Sequence, residues 1–463
     1  MIFKLFYILY YQLYFKIVNK LNNILDKDNF SKRANRYLQL TSQVGGLLTR
    51  LGVNKLGLGI NKDKHATNLK NNLGEFKGPI MKIAQLLSMI PDALPAEYSN
   101  QLMQLQSHAP PMGELFVKRR MINELGNNWD NNFLNFNKSA SYAASLGQVH
   151  KAKLKNGNLV ACKLQYPDMR SAVEVDLNQF EVILKLFEKY NKAIKTKKIF
   201  LEIKDRLIEE INYDNEIKNM KFFEKIFKFD KSVNIPKVYK EFSTKRLITM
   251  SWLEGHTLDE VIKYSKNRKY LLEKIATNIF NAWYMPFYKF CVIHGDPHFG
   301  NYSFKNNGDI NLFDFGCVRF FPTSFVKAVL NLYYALEKKD EDLTIEAYKS
   351  WGFKKINKKL IKILNLWASY IYGPLLEDKK RLIQGENNKG YGINVANNVY
   401  KELKKIGGIE PPKEFVFMDR AAIGMGSLFM KLNVKLNWHE KFNNLIKDFD
   451  EKKILKKRES VIV

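Results

Sequence analysis

Residues 294–301 read His-Gly-Asp-Pro-His-Phe-Gly-Asn, and residues 314–316 read Asp-Phe-Gly. In the first stretch Asp296 precedes Asn301 by five positions, which is the spacing of a catalytic loop for phosphoryl transfer. In such a loop the aspartate orients the acceptor or water, and the asparagine binds Mg²⁺. Asp314 opens the second stretch and would be the other magnesium ligand. The two stretches together predict a kinase-type active site.

The segment between these two motifs predicts a β-hairpin. Gly308 and Asp309 give a turn signal, and residues 310–313, which are apolar except for Asn311, predict a short strand. That strand would deliver the Asp314 carboxylate into a cleft beside the catalytic loop. Each motif alone is weak, because Asp-Phe-Gly often marks an ordinary strand end and His-Gly-Asp an ordinary surface loop. The pair in this order is far more specific.

The composition indicates a globular chain that is long enough for two lobes and a helical extension. Of its 463 residues, 46% are hydrophobic and 26% are charged, which argues against disorder. The net charge is +28, but no arginine-rich stripe, zinc-ligand spacing or aromatic RNA-binding motif accompanies it. We therefore expect no nucleic-acid partner, and expect the charge to suit an anionic membrane surface or a nucleotide. Three widely spaced cysteines suit a reducing compartment.

The N-terminal segment, residues 1–30, predicts an anchor that lies in a membrane surface. It is dense in aromatic and aliphatic residues, but Lys4 and Lys16 leave about eleven uncharged residues between them, fewer than the roughly 20 that a spanning helix needs. Tyrosines and flanking lysines fit a helix in the headgroup region. A helix packed in the protein core is the alternative interpretation.

The remainder of the chain divides into three predicted parts. Residues 31–130 predict a helical extension, residues 131–250 a small N-terminal lobe, and residues 251–463 a mostly helical C-terminal lobe. Within the N-terminal lobe, Asn156-Gly157 is a hairpin signal between two strands. The predicted elements of this lobe are strands over 149–154, 159–164 and 246–250 and helices over 171–192 and 198–228.

Lys163 is the candidate for holding nucleotide phosphates. It ends a Val-Ala-Cys-Lys run on the second hairpin strand, where an ammonium could bridge the α and β phosphates of ATP. Ala143, Ala144 and Ser145 stand where a phosphate-covering loop is expected, in place of the glycines that let backbone N–H groups approach phosphates closely. Met250 and Trp252, at the connector between the lobes, complete the predicted nucleotide-binding set.

The lysine needs a carboxylate partner, and residues 209–216 supply several. Glu210 and Glu216 are six positions apart, so on one continuous helix they would point about 120° apart and would serve different cations. Lys163 is the natural first cation and Lys82 is a candidate second. The sequence does not assign which glutamate serves which lysine.

Several marks in one order resemble the UbiB family of atypical protein-kinase-like ATPases, which is linked to ubiquinone biosynthesis. They are Lys77-Gly78-Pro79 with Met81-Lys82-xx-Gln85, Ala143-Ala144-Ser145-Leu146-Gly147-Gln148-Val149-His150, Glu210-xx-Tyr213-xx-Glu216, and the catalytic-loop and Asp-Phe-Gly motifs. The resemblance implies an α+β, bilobal protein-kinase-like fold. It also implies that Lys82 and Gln85 lie on a helix of the extension that covers the active site.

The resemblance further implies ATP and Mg²⁺ as cofactors and Asp296, Lys163, Lys82 and Gln85 as catalytic residues. The implied partners are an anionic membrane surface, lipid or phenolic quinone precursors, quinone-biosynthesis proteins and a second copy of the chain. The implied location is peripheral, on the inner face of the cytoplasmic membrane or on the matrix side of the mitochondrial inner membrane.

Two other functions remain open from the sequence. A small-molecule phosphotransferase of the aminoglycoside or choline kinase type also places His-Gly-Asp before an asparagine. A nucleotide-gated lipid-binding scaffold would need the same nucleotide-binding residues but no turnover.

Overall fold

The structure is a computed structural model. It describes residues 111–143, 146–190, 197–265, 268–353, 356–383, 395, 398–399, 401–403, 405–406 and 413–462. The anchor predicted over residues 1–30, and the extension predicted over 31–130 as far as residue 110, lie outside the described residues. In the part of the chain that is described, no helix is long and apolar enough to cross a membrane.

The first half of the described chain combines an antiparallel sheet with four helices. Its elements are α1 (Glu114–Leu125), β1 (Phe133–Phe136), β2 (Tyr142–Ala143), β3 (Gly147–Leu154), β4 (Leu159–Gln165), α2 (Met169–Tyr190), α3 (Lys197–Glu210), α4 (Tyr213–Ile226), β5 (Val233–Asn234) and β6 (Leu247–Ser251). The sheet order is β1-β3-β4-β6, and β2 pairs with the same edge of β3 as β1. The hairpin predicted at Asn156-Gly157 is present, since β3 and β4 pair in register on either side of it.

The two faces of this sheet have different roles. Alternate residues of β3, β4 and β6 project toward α1 and form a buried apolar cluster with it, and this cluster includes Ala152, Val160, Cys162, Leu164, Leu247, Val117 and Met121. Because successive strand residues point to opposite faces, Lys163 and the residues paired with it project from the other face. This second face of the sheet therefore presents Lys163 to the second half of the chain.

The helix predicted over 198–228 is wrong as one continuous element. The chain forms two helices, α3 and α4, and Ile211 and Asn212 separate them. Asn212 caps α4, because its side chain accepts a hydrogen bond from the backbone N–H of Asn215 at 3.1 Å. Glu210 therefore ends one helix while Glu216 lies in the first turn of the next.

The second half is mostly helical, as the periodicity predicted. Its elements are α5 (Leu258–Tyr264), α6 (Lys269–Phe290), β7 (Val292–Ile293), β8 (Tyr302–Phe304), β9 (Ile310–Leu312), β10 (Arg319–Phe320), α7 (Thr323–Lys338), α8 (Glu341–Ser350), α9 (Lys358–Leu376), β11 (Lys380–Arg381), α10 (Lys413–Leu432), β12 (Leu436–Asn437), α11 (Trp438–Ile446) and α12 (Glu451–Ile462). Buried residues of α6, α7, α10 and α11 form its main core. The predicted hairpin between the two motifs is β8–β9, and it places Asn301 and Asp314 at one end of that core.

Candidate active site

A bidentate ion pair fixes Lys163 on this face of the sheet. Its Nζ lies 2.7 Å and 2.9 Å from the two carboxylate oxygens of Glu216. The side chains are 16% and 3% exposed, so the pair is almost fully withdrawn from water. The ammonium also lies 5.4 Å from the ring centroid of Tyr213, the first residue of α4. The structure therefore shows that Glu216 is the carboxylate that pairs with Lys163.

Glu210 and Lys82 remain a proposed pair, because Lys82 and Gln85 lie outside the described residues. The sequence argument for two separate partners assumed that Glu210 and Glu216 share one helix. The break at Asn212 invalidates that geometry, although Glu216 still takes Lys163 as a separate partner. The role of Glu210 therefore stays a prediction.

Asp314 completes a charge cluster around Lys163. Its Oδ1 lies 3.6 Å from the lysine Nζ, and its side chain is 33% exposed. Burial alone would lower the pKa of Lys163, but Asp314 and Glu216 together hold it well above its usual value. Burial raises the pKa of Glu216 to about 7, against the opposing effect of Lys163. One ammonium thus serves two carboxylates, of which Asp314 is the more exposed.

The catalytic loop is built on close backbone packing. Gly295 has φ of +84°, and a Cβ there would lie 2.0 Å from the carbonyl oxygen of Cys317, so only glycine fits. The neighbouring His294 is buried, and burial lowers its pKa. Its Nε2–H donates to the carbonyl oxygen of Phe313 at 2.8 Å. These contacts hold the loop against the strand that leads to Asp314.

Asp296 and Asn301 lie side by side in this loop. The Asn301 side-chain amide donates to the backbone carbonyl of Asp296 at 3.0 Å and to its Oδ2 at 3.1 Å. Both side chains are nearly buried, at 6% and 9% exposure. The carbonyl of Asn301 accepts from the backbone N–H of Phe313 at 2.9 Å, which joins the loop to the end of β9. The structure thus brings the catalytic loop next to the residue that precedes Asp314.

The Asp-Phe-Gly segment has a backbone conformation suited to presenting its carboxylate. Asp314 has φ of +57°, in the left-handed region that few non-glycine residues occupy and that often marks functional sites. Phe315 is fully buried against Phe223 and His294, with ring centroids 5.1 Å and 5.2 Å away. Asn219 of α4 donates to the carbonyl of Phe315 at 2.9 Å. Burial of Phe315 therefore turns Asp314 toward Lys163.

Helix α3 holds the residues that follow this segment. Arg206, which is 2% exposed, donates from a guanidinium nitrogen to the carbonyl of Cys317 at 3.1 Å. Glu209 forms an ion pair with Arg319. Because a Cβ on Gly295 would lie 3.5 Å from Arg206, the guanidinium is at the junction of the catalytic loop and this segment.

The predicted nucleotide loop is only partly described. Ala143 ends β2, whereas Ala144 and Ser145 lie outside the described residues. After them, Gly147 is tightly enclosed, because a Cβ there would lie 2.6 Å from the carbonyl oxygen of Leu164 and 3.1 Å from the Tyr213 hydroxyl. Gly147, the first residue of β3, therefore lies directly beside the strand that carries Lys163.

Met250 and Trp252 lie on the same sheet face as Lys163. Met250 is directly opposite Ala161, which precedes Lys163 by two residues on β4. Trp252 follows two residues later, and its backbone N–H donates to the carbonyl of Leu159 at 3.0 Å. Both residues thus lie further along this sheet face than Lys163, Met250 level with Ala161 and Trp252 level with Leu159.

Helix α10 closes the other side of the catalytic loop, which sequence reasoning missed. A Cβ on Gly424 would lie 2.3 Å from a ring carbon of Pro297, so the helix touches the loop there. Lys431 of the same helix lies 4.6 Å from the ring centroid of Phe299 and 2.6 Å from Asp259. The only sequence signal for this contact is the glycine in a helix interior, which often marks close packing.

The donors present fit a magnesium nucleotide. Among the described residues, no group of three or more His, Cys, Asp and Glu side chains could hold a metal ion alone. Magnesium is commonly bound by one or two carboxylates together with substrate phosphates and water. Asp314 and Asn301 offer that incomplete set of oxygen ligands, and Lys163 offers a cation for the phosphates.

The chain is similar to a known protein family and to characterised members of it. Residues 104–348 match the family described as the ABC1 atypical kinase-like domain. The mitochondrial atypical kinase COQ8 of Saccharomyces cerevisiae is 29% identical over 300 residues, which cover 63% of this chain and 59% of that protein. The chloroplast protein ACTIVITY OF BC1 COMPLEX KINASE 8 of Arabidopsis thaliana is 29% identical over 298 residues, or 61% of this chain and 38% of that protein. The chain thus aligns with less than two thirds of either relative.

A solved structure has the same fold. The Rv3197–erythromycin complex from Mycobacterium tuberculosis superposes with a TM-score of 0.54 and 22% sequence identity, covering 88% of this chain and 98% of that chain. At this identity the likeness concerns the fold alone. Together with the family match, it confirms the predicted α+β, kinase-like fold.

Proposed function

Because the chain belongs to the ABC1 atypical kinase-like family, as the UbiB resemblance predicted, we propose that it is an ATP- and Mg²⁺-dependent phosphotransferase or ATPase. The reaction would move the terminal phosphoryl group of ATP to water or to a small or lipid-like acceptor. Relatives from yeast and Arabidopsis carry the word kinase in their names, which supports this reaction type.

The observation that carries the proposal is the placement of the Lys163 ammonium between the carboxylates of Glu216 and Asp314. Phosphoryl transfer requires mainly positioning and charge stabilisation, and a cation already oriented between two carboxylates supplies both. Lys163 would hold the α and β phosphates. Its ammonium has three N–H donors, and the two hydrogen bonds to Glu216 fix its position without using the third. Asp314 would hold Mg²⁺ together with Asn301, and the bound ion would neutralise charge on the transferred group.

Asp296 would act on the acceptor. Its carboxylate is nearly buried, and the Asn301 amide fixes it from one side. A hydroxyl or water that binds within hydrogen-bond reach would donate its proton toward the Asp296 carboxylate as it attacks phosphorus, and ADP would leave. Gly295 and the packing of α10 on Pro297 would keep that carboxylate in place.

We further propose that this activity supports synthesis of a polyprenyl quinone at an anionic membrane surface. The support is the family, which the resemblance links to ubiquinone biosynthesis, and the net charge of +28. The named relatives are mitochondrial or chloroplast proteins. The proposed partners are lipid or phenolic quinone precursors, quinone-biosynthesis proteins and a second copy of the chain, without nucleic acid. The proposed location is peripheral, on the inner face of a cytoplasmic or mitochondrial inner membrane.

A nucleotide-gated scaffold is the alternative that the same site would also support. It would bind Mg-ATP through the same residues but would not release phosphate. The aminoglycoside or choline kinase type of phosphotransferase is disfavoured by the family match over residues 104–348.

Phosphate release by the purified full chain tests the proposal. We expect Mg-ATP turnover that anionic liposomes or a phenolic quinone-precursor mimic stimulate, and we expect Asp296→Asn to abolish it while leaving nucleotide binding. Neutral liposomes and a non-phenolic ring compound are the matched controls. Nucleotide binding without turnover under all of these conditions would contradict the enzyme and favour the scaffold.

A further inference from the structure

The outward face of α4 carries a row of lysines that the active site does not use. The row consists of four exposed residues, of which the last lies in the turn after the helix: Lys218, Lys221, Lys225 and Lys228. Steps of three and four residues place them on one face of a helix. At about 100° per residue, Glu216 points about 160° away from the middle of this row. The lysines and the carboxylate that fixes Lys163 thus occupy opposite sides of α4.

Helix α12 carries a second row of lysines next to the first. Its exposed lysines are Lys452, Lys453, Lys456 and Lys457. The helix packs against α4, and Lys225 donates from Nζ to the backbone carbonyl of Val461 at 2.9 Å. Lys457 Nζ lies 4.6 Å from the ring centroid of Phe290, the last residue of α6. The two rows therefore belong to neighbouring helices, and together they are called the α4–α12 surface below.

Acidic side chains do not neutralise the α4–α12 surface. Within the described ranges none of its eight lysines forms an ion pair, whereas exposed lysines elsewhere, such as Lys327 and Lys379, pair with carboxylates. The exposed carboxylates on the same two helices are Asp214, Glu224 and Glu459. Unpaired like charges repel one another, and a negatively charged partner relieves that repulsion.

Exposed aromatic rings accompany these lysines. Phe229, at 89% exposure, is the most exposed large apolar side chain of the described residues, and Lys228 Nζ lies 5.6 Å from its ring centroid. Phe320 is 44% exposed and packs on Phe222 of α4, with ring centroids 5.3 Å apart. Aromatic rings left in water forgo the free energy of apolar burial. Such rings beside lysines fit a partner that offers negative charge and an apolar interior together.

We propose that the α4–α12 surface docks the protein on an anionic lipid bilayer, with Phe229 and Phe320 entering the headgroup region. The inference rests on the proposed function, which includes an anionic membrane but does not say which surface binds it. The lysines would contact lipid phosphates while the two rings reach the boundary of the acyl chains. Nucleic-acid binding favours arginine, but α4 has none, and Arg458 of α12 donates to the carbonyl of Phe321 at 2.9 Å.

Vesicle binding by the full chain tests the surface. The test variant replaces with glutamine four exposed lysines that form no side-chain hydrogen bond or ion pair in the described part of the chain: Lys218, Lys221, Lys452 and Lys456. The matched control makes the same change at four exposed lysines of α8 and α9: Lys349, Lys358, Lys359 and Lys362.

The two variants should differ in their affinity for charged vesicles. We expect co-sedimentation with phosphatidylcholine vesicles that contain phosphatidylglycerol to weaken by about 10- to 100-fold in the test variant and to change little in the control. Vesicles of phosphatidylcholine alone should bind all three proteins weakly. Mg-ATP binding should be the same in all three proteins, because Glu216 and Lys163 lie on the other side of α4.

A local readout separates this surface from the predicted anchor over residues 1–30, which would also bind vesicles. Phe229→Trp introduces a tryptophan into the surface, and acyl chains that carry bromine quench tryptophan fluorescence only at close range. We expect more quenching in Phe229→Trp than in wild type, and we expect the four glutamine substitutions of the test variant to remove the difference. Tyr270→Trp, at a 79% exposed tyrosine of α6, should show no added quenching.

The outcomes distinguish the surface from the proposed function. A wild type that binds anionic vesicles, with no added quenching in Phe229→Trp, would overturn the surface alone. A wild type that binds no anionic vesicles would overturn the membrane part of the proposed function as well, and one that binds no Mg-ATP would overturn its nucleotide site. Binding of single-stranded RNA that the test variant loses, without quenching at position 229, would assign the surface to nucleic acid and overturn the bilayer.

Discussion

Replacing Glu216 by glutamine should change how the stability of the protein depends on pH. In the folded protein, burial raises the pKa of Glu216 from 4.5 to about 7. The unfolded chain therefore loses this proton near pH 4.5, while the folded chain keeps it until about pH 7. The stabilisation from the raised pKa is complete below pH 4.5 and is lost as the pH rises through about 7. Glutamine carries no such proton and shows no such loss.

The expected magnitude follows from the size of the shift. At about 1.36 kcal/mol per unit, the difference between 4.5 and about 7 corresponds to about 3 kcal/mol for a side chain that is 3% exposed. The difference in unfolding free energy between Glu216→Gln and wild type should therefore move by about 3 kcal/mol in favour of glutamine between pH 4.5 and pH 8. Lys163 keeps Asp314 as a carboxylate partner in the variant, and titrating groups that do not contact this cluster are common to both proteins and cancel.

Urea denaturation of both proteins at several pH values between 4.5 and 8 measures this difference. Glu254→Gln is the matched control, because Glu254 pairs with Lys151 at the surface and its pKa is lowered rather than raised. The control should show no movement in favour of glutamine. A stability difference for Glu216→Gln that stays constant across this range would refute the conclusion that burial outweighs Lys163 in setting the pKa of Glu216.

Three further substitutions test the positioning of the catalytic groups. Gly424→Ala places a Cβ against Pro297 and should cost about 1–3 kcal/mol of stability and much of the turnover, whereas Gly426→Ala, with open space around it, should cost neither; equal effects would contradict the contact. Arg206→Met should raise the Mg²⁺ concentration for half-maximal nucleotide binding by about tenfold. An unchanged Mg²⁺ dependence would show that Arg206 contributes to folding but does not position the Mg²⁺ ligands. Asp314→Asn should abolish the thermal shift that Mg²⁺ adds to nucleotide, and a retained shift would remove Asp314 as a ligand.

The local elements near the site could be predicted because their signals are local. The Asn156-Gly157 turn, the β8–β9 hairpin and the spacing of Asp296 and Asn301 each depend on residues close in sequence. The division of the predicted helix after Glu210 was also signalled locally, since Asn212 is a favourable helix cap, but the apolar periodicity on both sides concealed it.

The long-range contacts of the site could not be read from the sequence. Whether Glu210 or Glu216 meets Lys163 depends on how α4 packs beneath the sheet, which no local pattern specifies. The contact of Gly424 with Pro297 likewise joins segments more than 120 residues apart, and only the packed core brings them together. The roles predicted for Lys82, Gln85, Ala144 and Ser145 remain predictions, because these residues lie outside the described ranges.

Calorimetric titration of Mg-ATP into wild type and Lys163→Met tests the central claim most directly. Lys153→Met is the matched control, because Lys153 lies on the same strand pair and sheet face but at the exposed outer end. We predict Mg-dependent ATP binding by wild type and by Lys153→Met, and its loss in a folded Lys163→Met variant. Unchanged ATP binding by Lys163→Met would show that the cluster of Lys163, Glu216 and Asp314 is not the nucleotide site.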